Sequence, residues 1–232
     1  MKKIILTIFS VIAFVMSSKC KAVEFLDTSR DPNLFTFGAR LGFNTSNRTF
    51  PSGSYNLWNH NSWGLGFNAG VLANLNFREY FTIQPGIFYE SRSGDYTYLT
   101  EYLDYYNREQ EHYEMGHLRG YYVTIPVMAL FKFNLSENIK WNVEFGPYVQ
   151  YCFSETGQNN IIVLYRLPQS NQYGQYKATH RRYDAGLKLG TGLQFSRHFY
   201  AGVHYLAGLI DVWVNPQGGK NKSWQFSIGY DF

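Results

Sequence analysis

The chain has little cysteine, no long apolar run after its first stretch, and no surplus of charge once that stretch is set aside. Each shortage removes a class of protein. Of two cysteines among 232 residues, Cys20 falls in the opening segment and Cys152 stands alone after it. A single thiol supports neither a disulfide framework nor a cysteine-based metal site. Beyond residue 22 nothing approaches the ~18 consecutive apolar residues that a spanning helix requires. Four of the 21 lysines and arginines are Lys2, Lys3, Lys19 and Lys21, which leaves 17 basic residues against 17 acidic ones. That balance gives no global reason to expect a nucleic-acid partner. The acids show no EF-hand-like spacing, and neither a metal nor a cofactor is expected.

Residues 1–22 read as an export signal. Lys2 and Lys3 supply the basic start, Ile4 to Met16 the apolar centre, and Ser17 to Ala22 a short end with Cys20 and Ala22 at the small-residue positions. Cleavage is expected after Ala22. Lys19 in front of Cys20, without a nearby Leu–small–small run, argues against lipid attachment there. The expected organisation is a signal over 1–22, a periplasmic N-terminal segment over 23–33, and one domain over 34–232.

What the domain has is a period of two. Trp224, Phe226, Ile228, Tyr230 and Phe232 alternate with Gln225, Ser227, Gly229 and Asp231, so the first set lies on one face of a strand and the second on the other. Seven further segments alternate in the same way: Leu34–Asn44, Trp63–Leu75, Phe81–Glu90, Tyr121–Phe133, Ile139–Cys152, Tyr183–Phe195 and Phe199–Leu209. Each is close to the ~9–11 residues with which a tilted strand crosses hydrocarbon. Connections alternate too. Asn76–Tyr80, Asn134–Asn138 and Ser196–His198 are short, whereas Thr45–Ser62, Arg92–Gly120, Phe153–Arg182 and Ile210–Ser223 are long.

A soluble β-sandwich or lipocalin-like barrel would turn the apolar face inward. Its outer face would then consist of the second set, which is rich in glycine and poor in charge, an odd choice for strands in water. As the lining of a narrow bore that set makes sense, because small residues leave room and a few charges pair across it. Aromatic residues such as Trp63, Tyr89, Trp141, Tyr183 and Trp224 sit near segment ends on the apolar face, where a membrane interface would hold them. The expected fold is all-β: an eight-stranded antiparallel up-and-down transmembrane β-barrel with short periplasmic turns and long extracellular loops.

Several stretches carry a resemblance. They are Tyr122-Val123-Thr124-Ile125-Pro126-Val127, Phe145-Gly146-Pro147-Tyr148-Val149, Asp184 to Gly192, and Gly208-Leu209-Ile210-Asp211. Over most of 34–232 the chain resembles the small outer-membrane β-barrel family that includes PorT-like proteins and, more loosely, the OmpA and OmpX barrels. The resemblance implies a bacterial outer-membrane location. It also implies that the terminal strand, through Phe226, Ile228, Tyr230 and Phe232, is the signal read by the barrel-assembly machinery. It implies no reaction.

Two groups of residues stand out as sites. Arg40, Glu144, Lys188 and His204 have inward parity and are expected to form a charge cluster closing the bore, with Glu144 between Arg40 and Lys188. Between the third and fourth segments, Tyr98, Tyr102, Tyr105, Tyr106 and Tyr113 are interleaved with six acids, and the 153–182 segment is basic. The tyrosines could form an extracellular binding patch, the two loops could dock on each other, or the segment could be a strand pair continued above the membrane. Val203-His204-Tyr205-Leu206 loosely resembles the His-x-Ser motif of lipid A deacylase barrels, but Leu206 stands at the serine position. The function expected is therefore structural or binding, with no open pore. Its partners are outer-membrane lipid and an extracellular protein. The alternatives are a PorT-like component of a secretion apparatus and a lipid A acyl hydrolase.

Overall fold

The computed structural model of the protein describes residues 24–48, 62–103, 109–156, 162–166, 173–177, 179–215 and 217–232. The expected signal over 1–22 lies outside them. Among the described residues thirteen strands follow in order: β1 (Phe35–Arg48), β2 (Ser62–Arg78), β3 (Phe81–Leu103), β4 (Glu109–Ser136), β5 (Ile139–Thr156), β6 (Ile162–Arg166), β7 (Tyr173–Lys177), β8 (Thr179–His180), β9 (Tyr183–Phe195), β10 (Phe199–Gly208), β11 (Trp213–Asn215), β12 (Gln217–Gly218) and β13 (Asn221–Asp231).

Eight of them close a barrel in the order β1-β13-β10-β9-β5-β4-β3-β2. Every barrel strand pairs antiparallel with the next along the chain, and β1 meets β13 from Gly38↔Asp231 to Arg48↔Asn221. Closure matters because hydrocarbon offers no partner to an unpaired backbone group, so a sheet without edges is the form in which strands can span it. Short β6–β7 and β12-β11-β8 sheets lie in the connections.

The pleat sorts side chains as the alternation requires. Leu187, Leu189, Phe226 and Ile228 are 47%, 52%, 40% and 65% exposed, whereas their chain neighbours Lys188 and Gln225 are 5% and 1%. The exposed aliphatic and aromatic surface runs around the whole barrel. Aromatic rings pair across strands on it, as with Phe43 on Phe226 and Phe131 on Phe145.

Strand ends depart from the sequence expectation on the long-loop side. β9 spans Tyr183–Phe195 as expected, but β1 continues to Arg48, β5 to Thr156 and β3 to Leu103, while β4 begins at Glu109. The stretch Arg92–Gly120 is thus mostly a hairpin ribbon and not a loop. Tyr96-Thr97-Tyr98-Leu99-Thr100 is strand-forming by composition. Apolar alternation marks only a strand with one face in lipid, so it could not reveal a strand that leaves the membrane.

At the opposite end, residues 24–29 strap the turns. Phe25 stacks on Phe133 at 5.0 Å, its carbonyl accepts from the Asn134 N–H at 2.9 Å, and the Ser29 carbonyl accepts from the Glu79 N–H at 3.1 Å. Asp27 accepts from the Ser29 N–H, and hydrogen bonds from Ser29 hold its carboxyl below the ordinary carboxylate value.

Candidate functional site

Arg40, Glu144, Lys188 and His204 all lie inside the bore, on β1, β5, β9 and β10, each less than a tenth exposed. Their pairing differs from the expected one. Glu144 is held by His204, whose Nε2 is 2.8 Å from Oε2, and by the Tyr200 hydroxyl, which donates to Oε1 at 2.7 Å. Arg40 does not reach Glu144. Its guanidinium pairs with Asp231 at 2.8 Å and lies over the Tyr200 ring, 4.3 Å from the centroid. Asp231 lies on β13 across the closing seam, in register with Gly38 and so on the same inward face two residues along from Arg40, within reach of its guanidinium. Lys188 packs its ammonium over the Phe88 ring at 5.0 Å and borders a small cavity of about 20 Å³ shared with Glu144, His204 and Ser227. That volume suits about one water molecule.

Further pairs fill the rest of the bore. Arg92 donates to Glu90 Oε2 from Nε and Nη2 at 3.0 and 2.6 Å, and Gln225 donates to Oε1 at 2.8 Å. Near the long-loop mouth Arg48 bridges Glu155 and the Tyr122 hydroxyl, both at 2.5 Å. Near the turns Glu79 takes Lys140 at 2.5 Å and Arg197 at 3.4 Å. Burial makes such pairing necessary, since an isolated charge in a low-dielectric interior costs several kcal/mol.

Glu90, Asp231 and Lys140 were not singled out by the sequence, although they share the inward parity of their segments. Arg48, Arg92 and Glu155 were hidden because they stood in stretches read as loops. Glu155 also needs a β-bulge: Cys152 faces Tyr122, whereas Ser154 faces Tyr121, so one extra residue on β5 brings Glu155 opposite Gly120. Bulges re-aim side chains in this way. Here the bulge delivers the carboxylate to Arg48.

Glycines make the space. A Cβ on Gly190 would come 2.1 Å from His204 Cδ2, and one on Gly202 would come 2.1 Å from the Tyr200 hydroxyl. Both glycines let the Tyr200 and His204 rings lie flat against the barrel wall. Gly190→Ala is expected to destabilise the protein by about 1–3 kcal/mol through overpacking. Urea unfolding in detergent, followed by fluorescence, measures the loss, and an unchanged midpoint would refute this role for Gly190.

Filled by Tyr122, Tyr148, Tyr200, Leu206 and the ion pairs, the bore is a packed interior and not an open channel. Planar-bilayer recordings are therefore expected to show no large, stable conductance. Such a conductance from the purified protein would contradict the packing.

Tyr98, Tyr102 and Tyr113 fall on the ribbon, where Tyr98 is in register with Glu114, Leu99 with Tyr113 and Tyr102 with Gln110. Tyr105 and Tyr106 lie outside the described residues. Docking between the ribbon and the 153–182 segment would rest on side chains outside them too. Phe226, Ile228, Tyr230 and Phe232 line the outer face of the closing strand and its end, and the Phe232 N–H donates to the Phe37 carbonyl at 2.7 Å.

A closed antiparallel barrel with an apolar outside and a paired, charged inside is a transmembrane β-barrel of the outer-membrane type. Consistent with this, residues 25–214 match the model of the family described as outer membrane protein beta-barrel domain, and the chain belongs to that family. No protein of curated function matches the sequence. Among solved structures, the chain is similar to Ail, the attachment invasion locus protein of Yersinia pestis, at 15% identity over 85% of this chain and 99% of that one (TM-score 0.40). Neisserial surface protein A is similar at 12% identity over 84% and 95% (TM-score 0.43). OprG of Pseudomonas aeruginosa is similar at 10% identity over 90% and 99% (TM-score 0.38). These identities are low, and membership rests on the family model.

Proposed function

We propose that the protein is a non-enzymatic element of the bacterial cell surface, binding or structural, that works through the β3–β4 ribbon. In this reading the chain is exported with a cleavable signal over 1–22. The barrel-assembly machinery inserts it by its terminal strand, and its long connections face outward. One observation carries the proposal. The pairing of β2 to β3 ends at Ser62↔Asp95 and that of β4 to β5 at Arg119↔Thr156, yet β3 and β4 stay paired to Leu103↔Glu109. The ribbon therefore continues about 30 Å past Asp95, at ~3.4 Å per residue. A barrel needs no such arm to be stable, and Tyr98, Tyr102 and Tyr113 give it the residue type favoured at protein contacts.

Shortening the hairpin to a turn joining Gly94 to Leu118 tests the proposal. The trimmed protein is expected to insert and keep the heat-dependent gel mobility of a folded barrel. It is also expected to lose the neighbours that a photo-reactive group at position 98 captures on intact cells. Capture of the same neighbours from another loop, with the hairpin gone, would overturn it.

The acyl hydrolase alternative loses support from the position of His204, which is enclosed in the bore against Glu144 and Tyr200 with fully buried Leu206 where a nucleophilic serine would be needed. The secretion-apparatus alternative, with its PorT-like resemblance, has the sequence likeness alone behind it.

A further inference from the structure

The stretch just ahead of β1 has a pattern of its own. Phe25-Leu26 and Leu34 are apolar, and Asp27-Thr28-Ser29-Arg30-Asp31-Pro32-Asn33 between them is polar apart from its proline. Two local turns fold the polar part: Asp27 accepts from the Ser29 N–H and Asp31 from the Asn33 N–H, both at 2.9 Å. It hangs on the turn between β2 and β3, where the Thr28 carbonyl accepts from Arg78 Nη1 at 3.1 Å. About three strand spacings, or ~14 Å, separate β1 from β4, and a chain of this length spans them with slack.

The far end of the strap fills a gap in the sheet. β3 begins at Phe81, opposite Phe131, but β4 runs on to Ser136. The Lys132 N–H still finds the Tyr80 carbonyl at 2.8 Å, whereas two residues further β3 has nothing left to offer Asn134. Phe25 takes the vacant place. Its carbonyl accepts from the Asn134 N–H at 2.9 Å, and the Glu24 carbonyl accepts from the Asn134 side chain at 3.0 Å. A bare strand edge is costly where a sheet leaves hydrocarbon, so the strap stands in for a missing strand residue.

This backbone placement decides where the ring goes. Phe133 faces outward from β4, packs on Trp141 of β5 at 5.4 Å, and receives the Phe25 ring on its β3 side at 5.0 Å. One step up the same face, Phe131 is likewise flanked by Phe81 and Phe145. Phe25 thus lengthens the aromatic band at the turn end, and 52% of its surface is still open.

From these features we infer that Phe25 is a lipid anchor supplied from outside the barrel. The strap seats its ring in the interfacial layer of the leaflet at the turn end, against the glycerol and upper acyl carbons of phospholipid. Continuity names the occupant: the ring joins a lipid-facing band, and aromatic side chains favour that layer. The polar bridge stays in water beneath the turns, and half-exposed Leu34 returns the chain to the barrel at β1. The inference rests on the membrane-spanning barrel and is independent of the ribbon.

Fluorine NMR on the protein isolated from membranes and placed in phosphatidylethanolamine–phosphatidylglycerol nanodiscs tests the anchor. Trifluoromethylphenylalanine replaces Phe25, Phe37 on the outer face of β1, or exposed Arg30 in the polar bridge, one at a time. Each sample then meets a lipid spin-labelled near the top of its acyl chain, or a water-soluble gadolinium chelate. Relaxation by the spin label at position 25 is expected to be within about twofold of that at position 37, and about fivefold or more above that at position 30. The chelate should rank the three positions in the reverse order. Relaxation at position 25 dominated by the chelate would put the ring in water and overturn the anchor. A position 25 that neither reagent reaches would mean a ring covered by protein, which overturns it as well.

Discussion

Arg40→Ala is expected to lower the unfolding free energy by about 3–5 kcal/mol, the cost of leaving a buried carboxylate without its cation. Asp231 would keep the amide of Gln194 at 3.0 Å but lose the guanidinium at 2.8 Å. The effect is large because the pair bridges β1 and β13, the one seam where strands distant in sequence must meet to close the barrel. Removing both charges in Arg40→Met/Asp231→Leu should cost clearly less than Arg40→Ala, since no orphaned charge remains. A double-mutant cycle in urea separates the pair's coupling from the penalty of exposing one partner. Additive single and double losses would mean that the pair is not a unit.

Leu189→Arg is expected to cost about 2–4 kcal/mol, because it places a guanidinium on the lipid face near the middle of β9. The penalty depends on depth. Phe195→Arg, at the turn end of the same strand and face, should cost no more than ~1 kcal/mol, because its charge reaches headgroup water. Comparing both variants in liposomes measures the gradient. If the outer face met water, as on a soluble barrel, Leu189→Arg would be close to neutral and the gradient would vanish.

The barrel was legible in the sequence because lipid imposes a strict alternation. Tyr183–Phe195, with seven outward and six inward residues in order, matches β9 at both ends. The signal fades where the environment stops being two-faced. Past Asp95 and before Leu118 the ribbon leaves the barrel, so the same backbone pairing there carried no lipid-and-lumen alternation to read. The bore was legible in kind but not in its pairing. Parity puts Arg40, Glu144, Lys188 and His204 inside, yet it does not tell which strands face each other across a lumen. The seam between β1 and β13 gives Arg40 to Asp231, and the reach of Tyr200 and His204 over glycine gives Glu144 its two partners. The Arg48–Glu155 pair needed a bulge, and one extra residue in β5 has no mark in composition.

The orientation of the sheet can be read without altering a residue. In nanodiscs, NMR contacts between methyl groups and lipid acyl chains distinguish two sets of aliphatic side chains on the barrel strands. Methyls of Leu41, Leu187, Leu189 and Ile228 are expected to contact acyl chains, while those of Leu72, Met128 and Leu206 show none. Acyl contacts at Leu206 and Met128, with silence at Leu189 and Ile228, would contradict the account.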